Sequence, residues 1–256
     1  MPLNFPSIVV PADAPSMPTA KNWTSTFAAL PNLIGYWSPD APFVDSTGGN
    51  ITLIRPAAGT ATLSPIMAST PQLVMRSGEA YPVIRSTGTQ ATSDLDGMVV
   101  NNHGLVGGNS WTLMTMWRGE NPGTGETGNI FTVSGDGEIY SYINYSTGPF
   151  HINAGGNNAT SATADMTKWT LAVTRFTPSN VSVSLNGAAP QSFSHSLSQT
   201  GQPLTIRMWM RGTARQNGLN GWMSSSALWL GALSDAQVAQ IFTAVQSIYG
   251  PSFLGS

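Results

Sequence analysis

The chain has 256 residues, of which 9% are charged, with a net charge of −2 and no cysteine. Ordinary soluble domains carry roughly 25% charged residues, so the polar surface must come from Ser, Thr, Asn and Gln, with 27 Gly and 18 Pro supplying turns. Ten Lys and Arg without a cluster exclude a phosphate-neutralising nucleic-acid face, the missing cysteines exclude disulfides and thiolate metal sites, and no apolar run approaches the ~20 residues of a membrane-inserted helix.

Residues 1–22 read as an extended arm. Pro2, Pro6, Pro11, Pro15 and Pro18 fix φ and remove donors, which favours polyproline II over helix. Phe5, Ile8, Val9 and Val10 are its apolar anchors. Two readings stand: a disordered tail, or an assembly arm that docks on a neighbouring subunit. The segment has no basic start and is broken by prolines, so no secretory signal is expected.

Residues 23–92 read as leader strands packed on a sandwich. They contain short runs at 33–37, 51–54, 73–75 and 81–85, with turn-rich residues at 38–49 and an irregular stretch to about residue 70. Residues 93–256 read as the core. Runs at 97–100, 111–117, 128–133, 138–144, 169–176 and 181–185 are rich in β-formers, and the last ends in Asn186-Gly187, a strong hairpin signal. A strand at 203–211, a Gly-Trp turn at 219–222 and a strand at 224–230 follow. Runs 111–117 and 204–210 carry bulky groups on both faces, which predicts mid-sheet strands covered on both sides.

A helix over 235–249 closes the chain. Ser234 and Gln237 predict a capping box, Leu233 and Val238 a hydrophobic staple, and Val238, Ile241, Phe242, Val245 and Ile248 an apolar stripe. Gly250-Pro251 stops it. Short strands without helices between them predict an all-β fold, an antiparallel jelly-roll sandwich with one short C-terminal helix.

Five motifs in order resemble the concanavalin A-like superfamily, in the laminin-G-like branch found in bacterial secreted and phage virion proteins. They are Leu95-Asp-Gly-Met-Val-Val100, Ser110-Trp-Thr-Leu-Met-Thr-Met-Trp117, Lys168-Trp-Thr-Leu-Ala-Val-Thr-Arg175, Val181-Ser-Val-Ser-Leu-Asn-Gly187, and Gly221-Trp222 through Trp229 with Leu233-Ser-Asp-Ala-Gln-Val238. The resemblance spans residues 93–248. It implies two antiparallel sheets, one concave, around a shared core, with Trp37, Trp111, Trp169 and Trp229 at packing positions.

Glycosidases of this superfamily place paired carboxylates on alternate residues of one strand, close enough for a retaining mechanism. Here the nearest pair is Asp136 and Glu138, inside Ser134-Gly-Asp-Gly-Glu138, which reads as a tight turn. His103, His151 and His195 lie in separate loops or strand ends without triad spacing. No catalytic residue is assigned. Laminin-G-like domains often bind Ca²⁺, and Asp94, Asp96, Asn101, Asn102 and Asp165 offer oxygens, but in turns such residues mostly bond the local backbone. No metal ligand or other cofactor is assigned.

Aromatics remain. On the alternating run 138–144, Ile139, Ser141 and Ile143 share one face and Tyr140 and Tyr142 the other. Trp209 shares a face with Thr205, Arg207 and Arg211. Tyr140, Tyr142 and Trp209 are therefore the carbohydrate-binding candidates, since aromatic faces accept the C–H faces of sugars, and subunit contact is the competing use.

The expected function is a non-enzymatic bacteriophage virion protein, from a tail fibre, baseplate or capsid decoration. It would be made in the host cytoplasm and contact other virion proteins, its own copies or host glycan. The alternatives are a free carbohydrate-binding module and, behind it, a glycoside hydrolase or lyase.

Overall fold

The computed structural model describes residues 21–66, 72–74, 83–87, 97–120, 127–135, 138–144, 149–155, 157–163, 168–197, 201–208, 219–249 and 254. The first elements are α1 (Lys21–Ala28), β1 (Leu33–Trp37), β2 (Val44–Thr47), β3 (Asn50–Ile54), β4 (Ala58–Gly59) and β5 (Thr62–Pro65). Next come β6 (Gln72–Val74), β7 (Val83–Thr87), β8 (Met98–Asn101), β9 (Trp111–Gly119), β10 (Thr127–Ser134) and β11 (Glu138–Asn144). The remainder are β12 (Pro149–Ala154), β13 (Asn157–Thr163), β14 (Thr170–Thr177), β15 (Asn180–Leu185), β16 (Gln191–Ser194), β17 (Thr205–Met208), β18 (Asn220–Leu230) and α2 (Asp235–Tyr249).

The strands form an antiparallel sandwich. One sheet runs β16-β15-β14-β9-β18, and the far edge of β18 pairs with β7 along Asn220–Met223 and with β1 along Ser226–Trp229. The second sheet runs β2-β3-β5-β8-β17-β10-β11-β12-β13. Residues 33–37 and 83–87 thus hydrogen-bond directly into the sheet built by residues 111–230.

The inter-sheet core follows from period-two alternation. Trp111, Leu113 and Trp117 of β9 and Ala172 and Phe176 of β14 face Phe131, Val133, Ile139, Ile143, Phe150, Ile152, Ile206 and Met208 of the second sheet. Trp111 stacks on Phe176 at 5.2 Å, and Trp117 on Phe150 at 6.1 Å.

The opposite face of β9 and β14, with Met114, Met116, Leu171 and Val173, builds a second apolar layer under the helices with Trp169, Ala227 and Trp229. Helix α2 contributes Val238, Ile241, Phe242 and Val245 to it. The capping box forms as expected: Gln237 N donates to Ser234 Oγ at 3.3 Å, and Ser234 N to Gln237 Oε1 at 2.8 Å. Arg175 ties β14 to the helix start, bonding Asp235 Oδ1 at 2.5 Å and Leu233 O at 3.1 Å. Ile248's side chain and Gly250-Pro251 lie outside the described residues. Among the described residues no helix is long and apolar enough to cross a membrane.

Several expectations need correction. Residues 21–22, read as the end of the arm, open a second helix, α1, whose Phe27 is fully buried edge-on to Tyr36 at 5.0 Å and to Trp229 at 6.0 Å. The stretch between Pro18 and Pro31 is proline-free, and Trp23, Phe27 and Leu30 recur at helical spacing. The anchors Phe5, Ile8, Val9 and Val10 lie outside the described residues. The turn expected at 219–222 is extended, because Asn220–Leu230 is one strand. Gly221 is there for closeness, since a Cβ on it would sit 2.3 Å from Arg118 O. The turn-rich and irregular stretches of the leader contain β2, β4 and β5.

Coverage on both faces holds for β9, where Trp111 through Trp117 are all buried. It fails for β17, which lies mid-sheet yet buries Ile206 and Met208 and leaves Thr205 and Arg207 partly exposed. The helices pack on the first sheet, so the outer side of the second has no helical cover among the described residues.

Candidate functional site

The outer face of the second sheet carries the candidate site. Strand β11 alternates cleanly: Ile139, Ser141 and Ile143 are buried, and Glu138, Tyr140, Tyr142 and Asn144 are partly exposed. The tyrosine expectation therefore holds for orientation. Tyr140 and Tyr142 stack with ring centroids 5.8 Å apart and planes at 29°. On β12, His151 lies opposite Tyr142 and stacks on it at 4.6 Å and 14°. Three rings thus form one continuous surface.

His151 was expected in a loop or strand end, but it sits inside β12. Burial lowers its pKa below the ordinary imidazole value, so at neutral pH it adds a polar ring and little charge. Pro149-Phe-His-Ile-Asn-Ala154 has an alternating signal, with buried Phe150, Ile152 and Ala154 framing His151 and Asn153. That pattern could have placed the imidazole on the tyrosine face.

Register sets a polar row across the same face. Tyr140 lies between Thr132 on β10 and Asn153 on β12, Thr132 lies beside Arg207 on β17, and Arg207 lies beside Val99 on β8. Thr132 is fully buried, while Arg207 remains partly exposed. Arg207 Nη1 donates to Ser134 Oγ at 3.0 Å, across to the next row, where Ser134 lies opposite Glu138. Rings that accept a sugar's apolar face are thus flanked by groups suited to its hydroxyls. Trp209 lies outside the described residues, although Thr205 and Arg207, its expected face-mates, do point outward.

The Ser134–Glu138 pairing makes β10 and β11 a hairpin, as the turn reading required, and puts Glu138 on the platform side. Asp136 lies outside the described residues. The other histidines brace backbone. His195 is buried, stacked on Phe176 at 4.7 Å, with its ring nitrogens bonded to Thr177 O and Leu197 N. His103 Nδ1 accepts from Leu105 N at 3.0 Å, and burial lowers its pKa, partly offset by a bond to the Leu204 backbone.

Of the Ca²⁺ candidates, Asn101 Nδ2 donates to Ser64 Oγ at 2.8 Å and Asn102 occupies a left-handed turn at φ 59°. Asp94, Asp96 and Asp165 lie outside the described residues. Among the described residues no three His, Asp or Glu gather as a metal site.

A second cluster went unseen in the sequence. Arg85 on β7 lies 4.9 Å over the Trp222 ring, pairs with Glu120 at 3.0 Å and donates to Gly221 O at 2.9 Å, while Trp222 Nε1 donates to Glu120. Its groups bond one another, so it clamps β7, β18 and the end of β9.

No family model matches the chain, and no curated protein sequence matches it significantly. Solved structures share its fold. A structure described with the cell entry of botulinum neurotoxin type C, dependent upon interaction with two ganglioside molecules, superposes with a TM-score of 0.56 at 14% identity, over 84% of this chain and 52% of that one. Domain 4 of AbnA, a GH43 extracellular arabinanase of Geobacillus stearothermophilus bound to arabinotriose, gives 0.56 at 15% identity, over 82% of this chain and 98% of the domain. A Trypanosoma rangeli sialidase in complex with 2,3-difluoro-KDN gives 0.60 at 11% identity, over 89% of this chain and 39% of the enzyme. The chain spans about half the length of the toxin binding domains it matches. At these identities the likeness establishes the β-sandwich architecture.

Proposed function

We propose that this chain is a non-enzymatic, lectin-like binding domain that engages a glycan through the outer face of its second sheet. The stacked Tyr140–Tyr142–His151 surface carries this reading. It presents amphipathic rings in a row, the geometry that accepts consecutive sugar rings by their C–H faces, with the partly exposed Asn153 beside Tyr140 on the same face. Structural neighbours described with arabinotriose, gangliosides and a sialic-acid analogue support the glycan reading.

The test is a glycan array probed with the wild-type chain, Tyr140→Ala and Tyr142→Ala. Each substitution removes about 1 kcal/mol or more of stacking, so signal should fall about five- to tenfold. Binding indifferent to both substitutions refutes the site. An array without signal refutes the glycan.

The setting we propose is a bacteriophage particle, in a tail fibre, baseplate or capsid decoration. Its motivation is compositional: 9% charged residues, no cysteine and five prolines within residues 1–18. In this reading the arm anchors the chain and the sandwich faces outward. Deleting residues 1–20, which spares α1, should abolish incorporation into particles and leave a folded sandwich. Unchanged incorporation removes the anchor.

A further inference from the structure

Three arginines of the described residues are held by carboxylates. Arg55 pairs with Asp45, Arg85 with Glu120 and Arg175 with Asp235. Arg207 instead bonds a hydroxyl, Ser134 Oγ, and faces no carboxylate among the described residues. That bond uses one of the five N–H donors of the guanidinium. In a chain with ten Lys and Arg, a partly exposed guanidinium held by a neutral partner is poised for an external anion.

Its position specifies the anion. Arg207 shares a transverse row with Thr132 and Tyr140, two strand spacings or about 10 Å from the tyrosine. A sugar ring lying on Tyr140 and extending along this row would turn a ring substituent toward Arg207. Guanidinium presents a planar fork that matches a carboxylate bidentately. Glu138, the acidic group described on this face, lies in the next row opposite Ser134, which leaves the Thr132 side as the favourable approach for an anion. His151 lies beyond Tyr142, on the far side from Arg207.

We propose that this face selects carboxylated sugars, uronate or sialate in type, with the ring on Tyr140 and the carboxylate on Arg207. The proposal rests on the glycan reading above and names its ligand class. A bidentate charged hydrogen bond is worth about tenfold or more in affinity.

Two matched pairs test it by titration calorimetry: oligogalacturonate against its carboxyl-reduced form, and sialyllactose against lactose. The wild-type chain should bind the acidic member of at least one pair tenfold or more above its neutral partner, and the responding pair tells uronate from sialate. Arg207→Gln should shrink that ratio to threefold or less, Arg207→Lys should retain part of it, and rising salt should narrow it. Thermal melts establish that each variant is folded. Equal binding of both members, no binding of either pair, or a ratio that survives Arg207→Gln overturns the proposal. The platform reading is tested separately. If Tyr142→Ala loses neutral and acidic members alike while the wild type does not discriminate, the platform stands and the carboxylate falls.

Discussion

Replacing Gly221 by alanine puts one methyl where the fold has no room. The added Cβ would lie 2.3 Å from Arg118 O, 3.1 Å from Gly119 Cα and 3.2 Å from Arg118 C. All three atoms are backbone, so no side chain can swing aside, and β18 must move about 1 Å from β9 to restore ordinary contact. The other edge blocks that movement. Asn220–Met223 is paired to β7 there, and Arg85 donates to Gly221 O at 2.9 Å. Strain against two ladders and a guanidinium clamp should cost about 2–4 kcal/mol. For a chain of this size that lowers Tm by about 6–12 °C in a thermal melt. Gly48→Ala is the control, because Gly48 has φ +60° and nothing within 4 Å of an added Cβ. It bears the left-handed backbone penalty alone, about 1 kcal/mol. If Gly221→Ala melts within about 2 °C of wild type, or above Gly48→Ala, the close approach does not exist and the turn reading returns.

Two further outcomes follow from named contacts. Ser234→Ala removes the Oγ acceptor of Gln237 N, so α2 should lose about 1 kcal/mol and Tm about 2–4 °C, measured against Ser234→Asp, which keeps an acceptor. Stability should also fall on acidification. Burial lowers the folded-state pKa of both His103 and His151. Between that value and the unfolded one near 6.5, the unfolded chain binds more protons, so the contribution is full above pH 6.5 and is lost as pH drops toward the folded pKa. Urea midpoints from pH 7.5 to 5 should decline, and His103→Gln should flatten the slope. A flat wild-type profile refutes the assignment.

What the sequence made legible was local. The capping box needs Ser234 and Gln237 one turn apart, and the outward tyrosines need a strict two-residue period over 138–144. Both came out as read. The tryptophans at 37, 111, 169 and 229 are all buried, as bulky groups framed by β-formers should be. Features that depend on distant partners were illegible. Strand β18 buries Met223 in the inter-sheet core, then Leu228 in that same core and Trp229 in the opposite layer. The parity switch comes from a bulge between Met223 and Ser226 in its pairing with β9, and nothing in Ser224-Ser-Ser226 announces it. Strand β13, Asn157 to Thr163, lacks bulky β-formers, so pairing alone defines it. The Arg85 clamp joins residues more than 130 positions apart. His151 is the intermediate case: the alternation of 149–154 marks its face, and the register between β11 and β12 sets it opposite Tyr142.

The sandwich is asymmetric, and the asymmetry selects the face that can bind. β9 and β14 alternate between two apolar layers, because α1 and α2 cover their outer side. A sheet buried on both faces spends its aromatic residues on packing, as Trp111 and Trp229 do. β11, β12 and β17 alternate between core and partly exposed positions. Sequence could therefore place Tyr140 and Tyr142 there at no cost to the core: Ile139, Ser141 and Ile143 already complete the buried side. The same economy explains Arg207, whose neighbours Ile206 and Met208 hold β17 in the core and free one outward position for a charge. Substitutions on the outer positions of these strands should change recognition and leave the melting temperature nearly fixed, whereas the equivalent changes on β9 or β14 should unfold the chain.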